Sequence, residues 1–152
     1  MLDPASAFSL AGPLVMAGWI ALLVSLFVAP VRPYAWPAAQ LAIPALLALA
    51  YILLIVEGMG AEGGGFGSIG EIRALFANDA ALVAGWFHYL AFDLFVGGWI
   101  ARDGTARNIA GWKALLLVPC LALTFVFGPA GLLLYLLIRL PFRSRPTEET
   151  AA

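Results

Sequence analysis

Residues 79–102 read DAALVAGWFHYLAFDLFVGGWIAR. Between Asp79 and Asp93 no residue carries a formal charge at neutral pH, and none does again until Arg102. A membrane-crossing helix needs about 20 mostly apolar residues, and this stretch supplies them. Asn78 or Asp79 suits the N-cap, and Gly104 suits the C-terminal stop. Within the span only His88 and Asp93 bear titratable side chains of unusual cost. An ionised carboxylate at mid-membrane costs about 2.5–3.5 kcal/mol on insertion scales, so its presence calls for a partner or a task.

Three further apolar runs flank this one. Leu10–Ala29 ends at Pro30 and Pro33; Pro37–Val56 opens on a proline, which suits a first helical turn; Lys113–Ile138 contains Pro119 and Pro129. The last run, at 1.5 Å per residue, is about 39 Å long against a hydrocarbon core of about 30 Å, so tilt or kinks are expected there. Leu10–Ala29 lacks a positive n-region, with only Asp3 charged before it, and reads as a retained helix rather than a signal peptide. The fold expectation is all-α: an integral membrane bundle of four transmembrane helices, with spans at about 10–29, 37–56, 79–102 and 113–138. Residues 1–142 then form one domain, followed by a polar, disordered tail over 143–152. The long connection, residues 57–78, holds seven glycines. It reads as a linker, or as a lid over a membrane-facing pocket, with a short interfacial helix from Ile69 to Ala77.

Composition agrees. The 152 residues are 63% hydrophobic and 11% charged, with a net charge of -1. A soluble domain carries about 25% charged residues. These values exclude a water-soluble globular domain, a disordered chain and a nucleic-acid binder. The single cysteine, Cys120, excludes an internal disulfide, and a single histidine excludes a bis-His haem. No metal and no cofactor are expected.

Four spans place both termini on one face. Arg73, Arg139, Arg143 and Arg145 then lie on that face, and Arg32, Arg102, Arg107 and Lys113 on the other. The tie leaves orientation open under the positive-inside rule. Tyr34, Trp36, Trp99 and Trp112 gather on the second face as an aromatic belt.

His88 and Asp93 are the candidate catalytic residues. They are five positions apart, which is about 140° around the helix and about 7.5 Å along it, so a direct dyad is not expected. Asp93 shares its face with Trp86, Tyr89, Gly97 and Ile100; His88 shares its face with Phe95, Trp99 and Arg102. Asp93 is expected to face protein, with a hydrogen-bond donor from another helix; Thr124 and Tyr51 are candidates. It acts either as a buried acid/base or as a polar clamp between helices. His88 is the one side chain with a reference pKa near 6.5 and suits proton transfer. Gly97 and Gly98 remove side chains in mid-helix, for close packing or for a planar ligand. Candidate substrate-binding residues are Trp86, Tyr89, Phe92, Gly97 and Thr124.

Residues Gly85–Gly97 and Trp99–Gly104, followed by Leu117–Cys120 and Thr124–Leu132, resemble the abscisic-acid-deficient-four-like family, whose plant members are linked to neoxanthin synthesis. The resemblance covers the whole four-span body and is strongest from Gly85 to Leu132. It implies a multi-pass membrane protein with a carotenoid or related isoprenoid ligand. It further implies a non-redox isomerisation of an epoxycarotenoid to an allenic one. Such a step needs an acid for the epoxide and a base for a polyene proton, and His88 and Asp93 have that chemistry. The start directly at a span, one lysine against seven arginines, and abundant alanine and glycine lead us to expect a bacterial plasma-membrane protein. The alternative function is a non-catalytic membrane helper or pigment-binding scaffold. An oligomeric channel is a weaker third reading, because no helix shows a polar stripe. Membrane lipids are the expected surroundings, nucleic acid is not a partner, and homo-oligomerisation stays open.

Overall fold

The computed structural model describes residues 2–142, and among these the elements are all helical. Helix α1, Pro4–Phe27, starts on an Asp3 cap whose carboxylate accepts from Ser6 N at 2.8 Å. Those Ser6 bonds hold the Asp3 carboxyl below the usual carboxylate range. The second crossing helix, Ala29–Gly58, begins eight residues before the expected Pro37. It runs as a 3-10 turn, α2 (Arg32–Pro37), a π segment at Ala38–Ala42, and α3 (Ile43–Gly58). Pro37 and Pro44 have no N–H to give, and the wider π turn between them absorbs the break in the ladder. Helix α4, Ile69–Leu75, is the short interfacial helix, capped by Ser68 Oγ, which accepts from Glu71 N. The Glu71 carboxylate reaches back to accept from Gly67 N at 2.9 Å.

Helix α5, Asp79–Ala106, is the centre of the molecule. Asn78 caps it, accepting from Ala80 N and Ala81 N. Gly104 does not end it. It lies buried inside the helix, where an added Cβ would sit 2.7 Å from Leu117 Cδ1, so this glycine serves packing rather than termination. The chain leaves the helix at Arg107 and turns through Asn108, φ 61°.

Small residues let three helices approach closely, as lipid-embedded packing requires. Trp19 of α1 fills the notch at Gly97, and Gly58 of α3 meets Ala81 where an added Cβ would lie 2.6 Å from the alanine Cβ. The pairs Phe8–Trp86 and Trp19–Gly97 make α1 parallel to α5; the pairs Tyr51–His88 and Gln40–Gly98 make α3 antiparallel to it. Leu22, Leu54, Leu94 and Ile100 are fully buried at this junction, while Leu10, Ile20, Leu49 and Val56 face outward. Apolar groups on both inside and outside are what a hydrocarbon solvent permits. Three helices, of 24, 30 and 28 residues, are long and apolar enough to cross a membrane.

The fourth expected span, 113–138, is not one helix. A 3-10 turn at Gly111–Leu116 leads into α6 (Leu117–Phe127), which stops at Gly128, φ 45°; α7 (Pro129–Ile138) then starts on a proline. The two halves are about 16 and about 15 Å long, each half the hydrocarbon core. They fold back on each other. Gly131 of α7 lies against Cys120 and Thr124 of α6 so closely that a side chain there has no room. Leu117 enters beside Gly104; Gly128 turns beside Asp93; Tyr135 and Arg139 return to Asp103; and Arg107 Nη1 donates to Phe142 O at 2.9 Å. The segment therefore enters and leaves at the same end of α5, reversing at its middle. Residues 2 and 142 consequently lie at opposite ends of the bundle, not on one face as expected. Arg139 joins Arg32, Arg102, Arg107 and Lys113 at the α5 C-terminal end. The expected tail, 143–152, lies outside the described residues.

Candidate functional site

Asp93 sits 14 residues from the start of α5 and 13 from its end. A long apolar helix carries it to mid-depth, and the hairpin turn closes over it. An added Cβ on Gly128 would lie 2.6 Å from Asp93 Oδ1, and the positive φ there excludes other residues independently. Asp93 therefore faces protein, as expected, but the expected donor from another helix is not there. Among the described residues, Asp93 Oδ2 is the one buried side-chain polar atom without a hydrogen-bond partner. Thr124 donates instead to Cys120 O at 2.8 Å, the usual back-bond of a helical threonine. Tyr51 packs its ring by His88.

One turn before Asp93 on the same face, Tyr89 donates its hydroxyl to Val126 O at 2.9 Å. That carbonyl belongs to the last turn of α6, whose orphan acceptors need outside donors. Trp86 stacks on Tyr89 with centroids 5.4 Å apart. Tyr89, Trp86, Phe8, Val15, Met16 and Phe125 line a cleft of about 380 Å³ between α1, α5 and the end of α6. Trp86 and Tyr89 are thus brought together on one cleft wall. Gly97 is already filled by Trp19, and Thr124 is buried in the hairpin.

His88 lies elsewhere. It is exposed on the α3 side of α5, with its ring 4.6 Å from Phe92 and 6.1 Å from Tyr51. Phe92 lines a second groove, of about 340 Å³, along α3 and α5. The structure separates His88 and Phe92 from Asp93, Tyr89 and Trp86, consistent with their angular offset on the helix.

A polar knot that the sequence did not single out ties the hairpin down. Asp103 accepts from the Tyr135 hydroxyl and from Arg107 Nε at 2.7 Å, and it pairs with Arg139 at 3.5 Å. The Arg139 guanidinium lies over the Trp99 ring at 5.3 Å. Hydrogen bonding to Asp103 raises the Arg107 pKa further, keeping it charged. The sequence expectation is an ion pair between the neighbours Arg102 and Asp103, but Arg102 turns to Gln40 and Asp103 pairs with Arg107, whose spacing of four is the signal that finds it. Tyr135 was hidden by the expectation that its helix continues away.

The architecture defines a small all-helical protein in which three helices of membrane-crossing length hold a half-depth helical hairpin against a central acid. A family model described as ABA DEFICIENT 4-like matches residues 6–135, and the chain belongs to that family. No curated protein and no solved structure matches it.

Proposed function

We propose that the chain acts on a carotenoid or related isoprenoid held in the cleft beside Tyr89, with Asp93 as the acid/base group. The observation that carries this reading is the orphaned Asp93 oxygen at mid-depth, one helical turn from Tyr89, which lines an apolar cleft. Asp93 itself does not line it, so the reading needs a shift of the Gly128 turn to bring the acid to a ligand. A buried polar atom left unpaired costs about 1–3 kcal/mol, and such costs persist at working sites. Family membership supports a link to carotenoid synthesis. For an epoxide-to-allene isomerisation, one proton goes to the epoxide oxygen as its C–O bond opens, and one leaves the polyene, so redox state is unchanged. Protonated, Asp93 supplies the first; ionised, it accepts the second. The Tyr89 hydroxyl, one turn away, orients a polar ring substituent. His88 faces the other groove and is not assigned a proton here.

That separation of His88 from Asp93 favours a second reading, a non-catalytic pigment-holding helper, because one carboxyl group alone serves both proton steps. Co-expression with an epoxycarotenoid supply, followed by pigment chromatography, tests the pair. The isomerase reading expects an allenic product that Asp93→Asn abolishes while the variant still accumulates in membranes. Pigment co-purifying unchanged with wild type supports the helper. Product formation undiminished in Asp93→Asn contradicts the assignment of Asp93.

A further inference from the structure

The α3–α5 groove on the far side of α5 has a cationic mouth. At its upper end, Arg32 and Arg102 flank Trp36, each guanidinium 5.9 Å from the indole. Arg32 Nε donates to Ser25 O at 2.9 Å, and its Nη2 to Leu26 O at 3.3 Å, capping the end of α1. Arg102 Nη1 donates to the neutral Gln40 Oε1 at 2.7 Å. Neither arginine forms an ion pair among the described residues; the nearby carboxylate, Asp103, is taken by Arg107 and Arg139. Both charges are therefore held in place by neutral acceptors, with donors left over.

Below them lies a hollow of about 500 Å³, bounded by Arg32, Trp36, Arg102 and Phe95. It shares Gln40, Leu41 and Phe95 with the apolar groove beneath, which Pro44, Ala48 and Phe92 continue. From Arg102 to Ala91 the groove descends about 16 Å along α5. It opens sideways, since Leu41, Ala45, Phe92 and Phe95 are exposed. The charged end is level with the helix ends, where headgroups lie, and the apolar end is at acyl-chain depth.

We infer that this groove binds an anionic glycerophospholipid, its phosphate on Arg32 and Arg102 and one acyl chain along Ala48 and Phe92. Guanidinium forks match phosphate oxygens, and both are already oriented by Gln40 and the α1 carbonyls. A zwitterionic lipid of equal chain length fills the groove but gains less from two uncompensated cations.

Native mass spectrometry of the detergent-purified protein, titrated with phosphatidylglycerol or phosphatidylcholine of identical chains, tests the inference. The first phosphatidylglycerol is expected to bind about tenfold tighter than the first phosphatidylcholine. Arg102→Gln is expected to remove most of that preference, and Arg102→Lys to retain only part of it, since the charge stays but the fork is lost. Ala48→Phe, on an exposed groove wall, is expected to weaken both lipids together. Equal affinity of the two lipids for the wild type overturns the inference, as does a preference unchanged in both Arg102→Gln and Arg32→Gln. If Arg102→Gln does not fold, Arg32→Gln and Ala48→Phe carry the same reading.

Discussion

Asp93 carries a structural cost that a stability screen can read. Its Oδ2 is buried without a donor, and a carboxylate at mid-membrane carries an ionisation cost of about 2.5–3.5 kcal/mol that a neutral amide does not. Asp93→Asn, which keeps the shape beside Gly128, is therefore expected to melt at the same or a higher temperature than the wild type in detergent, while losing any isoprenoid turnover. A drop in melting temperature of many degrees assigns Asp93 a structural role instead. Tyr89→Phe removes the hydroxyl bonded to Val126 O; the expected loss is about 0.5–1.5 kcal/mol, read in the same melt. His88→Gln is expected to leave the fold and any Asp93-dependent conversion intact, because the ring is exposed on another face. At this scale the sequence was informative: the scarcity of polar groups singled out Asp93, and helical angles separated it from His88. Its missing partner was not legible, since that depends on which atoms a turn 35 residues away brings to it.

Among elements, the hairpin is the one that departs from its sequence expectation. Residues 113–138 form an apolar run long enough to cross, and apolarity alone cannot distinguish a crossing from a return. The discriminating signal is local: glycine then proline at 128 and 129, the pattern of a helix stop followed at once by a helix start. Read as a kink, it gives a bent span; with φ of 45° at Gly128 it gives a reversal. The second clue is a set of distant charges, because Tyr135 and Arg139 meet Asp103 only if α7 comes back. The expected break at Pro119 is absent, since that proline falls in the first turn of α6, where it is tolerated. Gly128→Ala meets both the backbone conformation and the Asp93 oxygens. It is expected to destabilise the protein by about 1–3 kcal/mol from the backbone alone, with more from the clash, seen as a lower melting temperature or loss from the membrane fraction. Gly12→Ala, where an added Cβ meets nothing within 4 Å, is the control for stability and is expected to leave the melting temperature unchanged or slightly raised.

Over the whole molecule, the return of α7 resolves the charge tie. Arg32, Arg102, Arg107, Lys113 and Arg139 now share one end, while Arg73 alone among the described basic residues lies at the other. Under the positive-inside rule the arginine-rich end is expected on the cytoplasmic side and the start of α1 on the opposite side. Three crossings and a half-depth hairpin thus predict termini on opposite faces, whereas four crossings predict one face. Paired reporter fusions, one before Pro4 and one after Phe142, each active on only one side of the membrane, measure this directly. The account predicts the first reporter outside and the second in the cytoplasm. Both reporters active on the same side contradict the hairpin, and with it the seat of Asp93 beneath its turn.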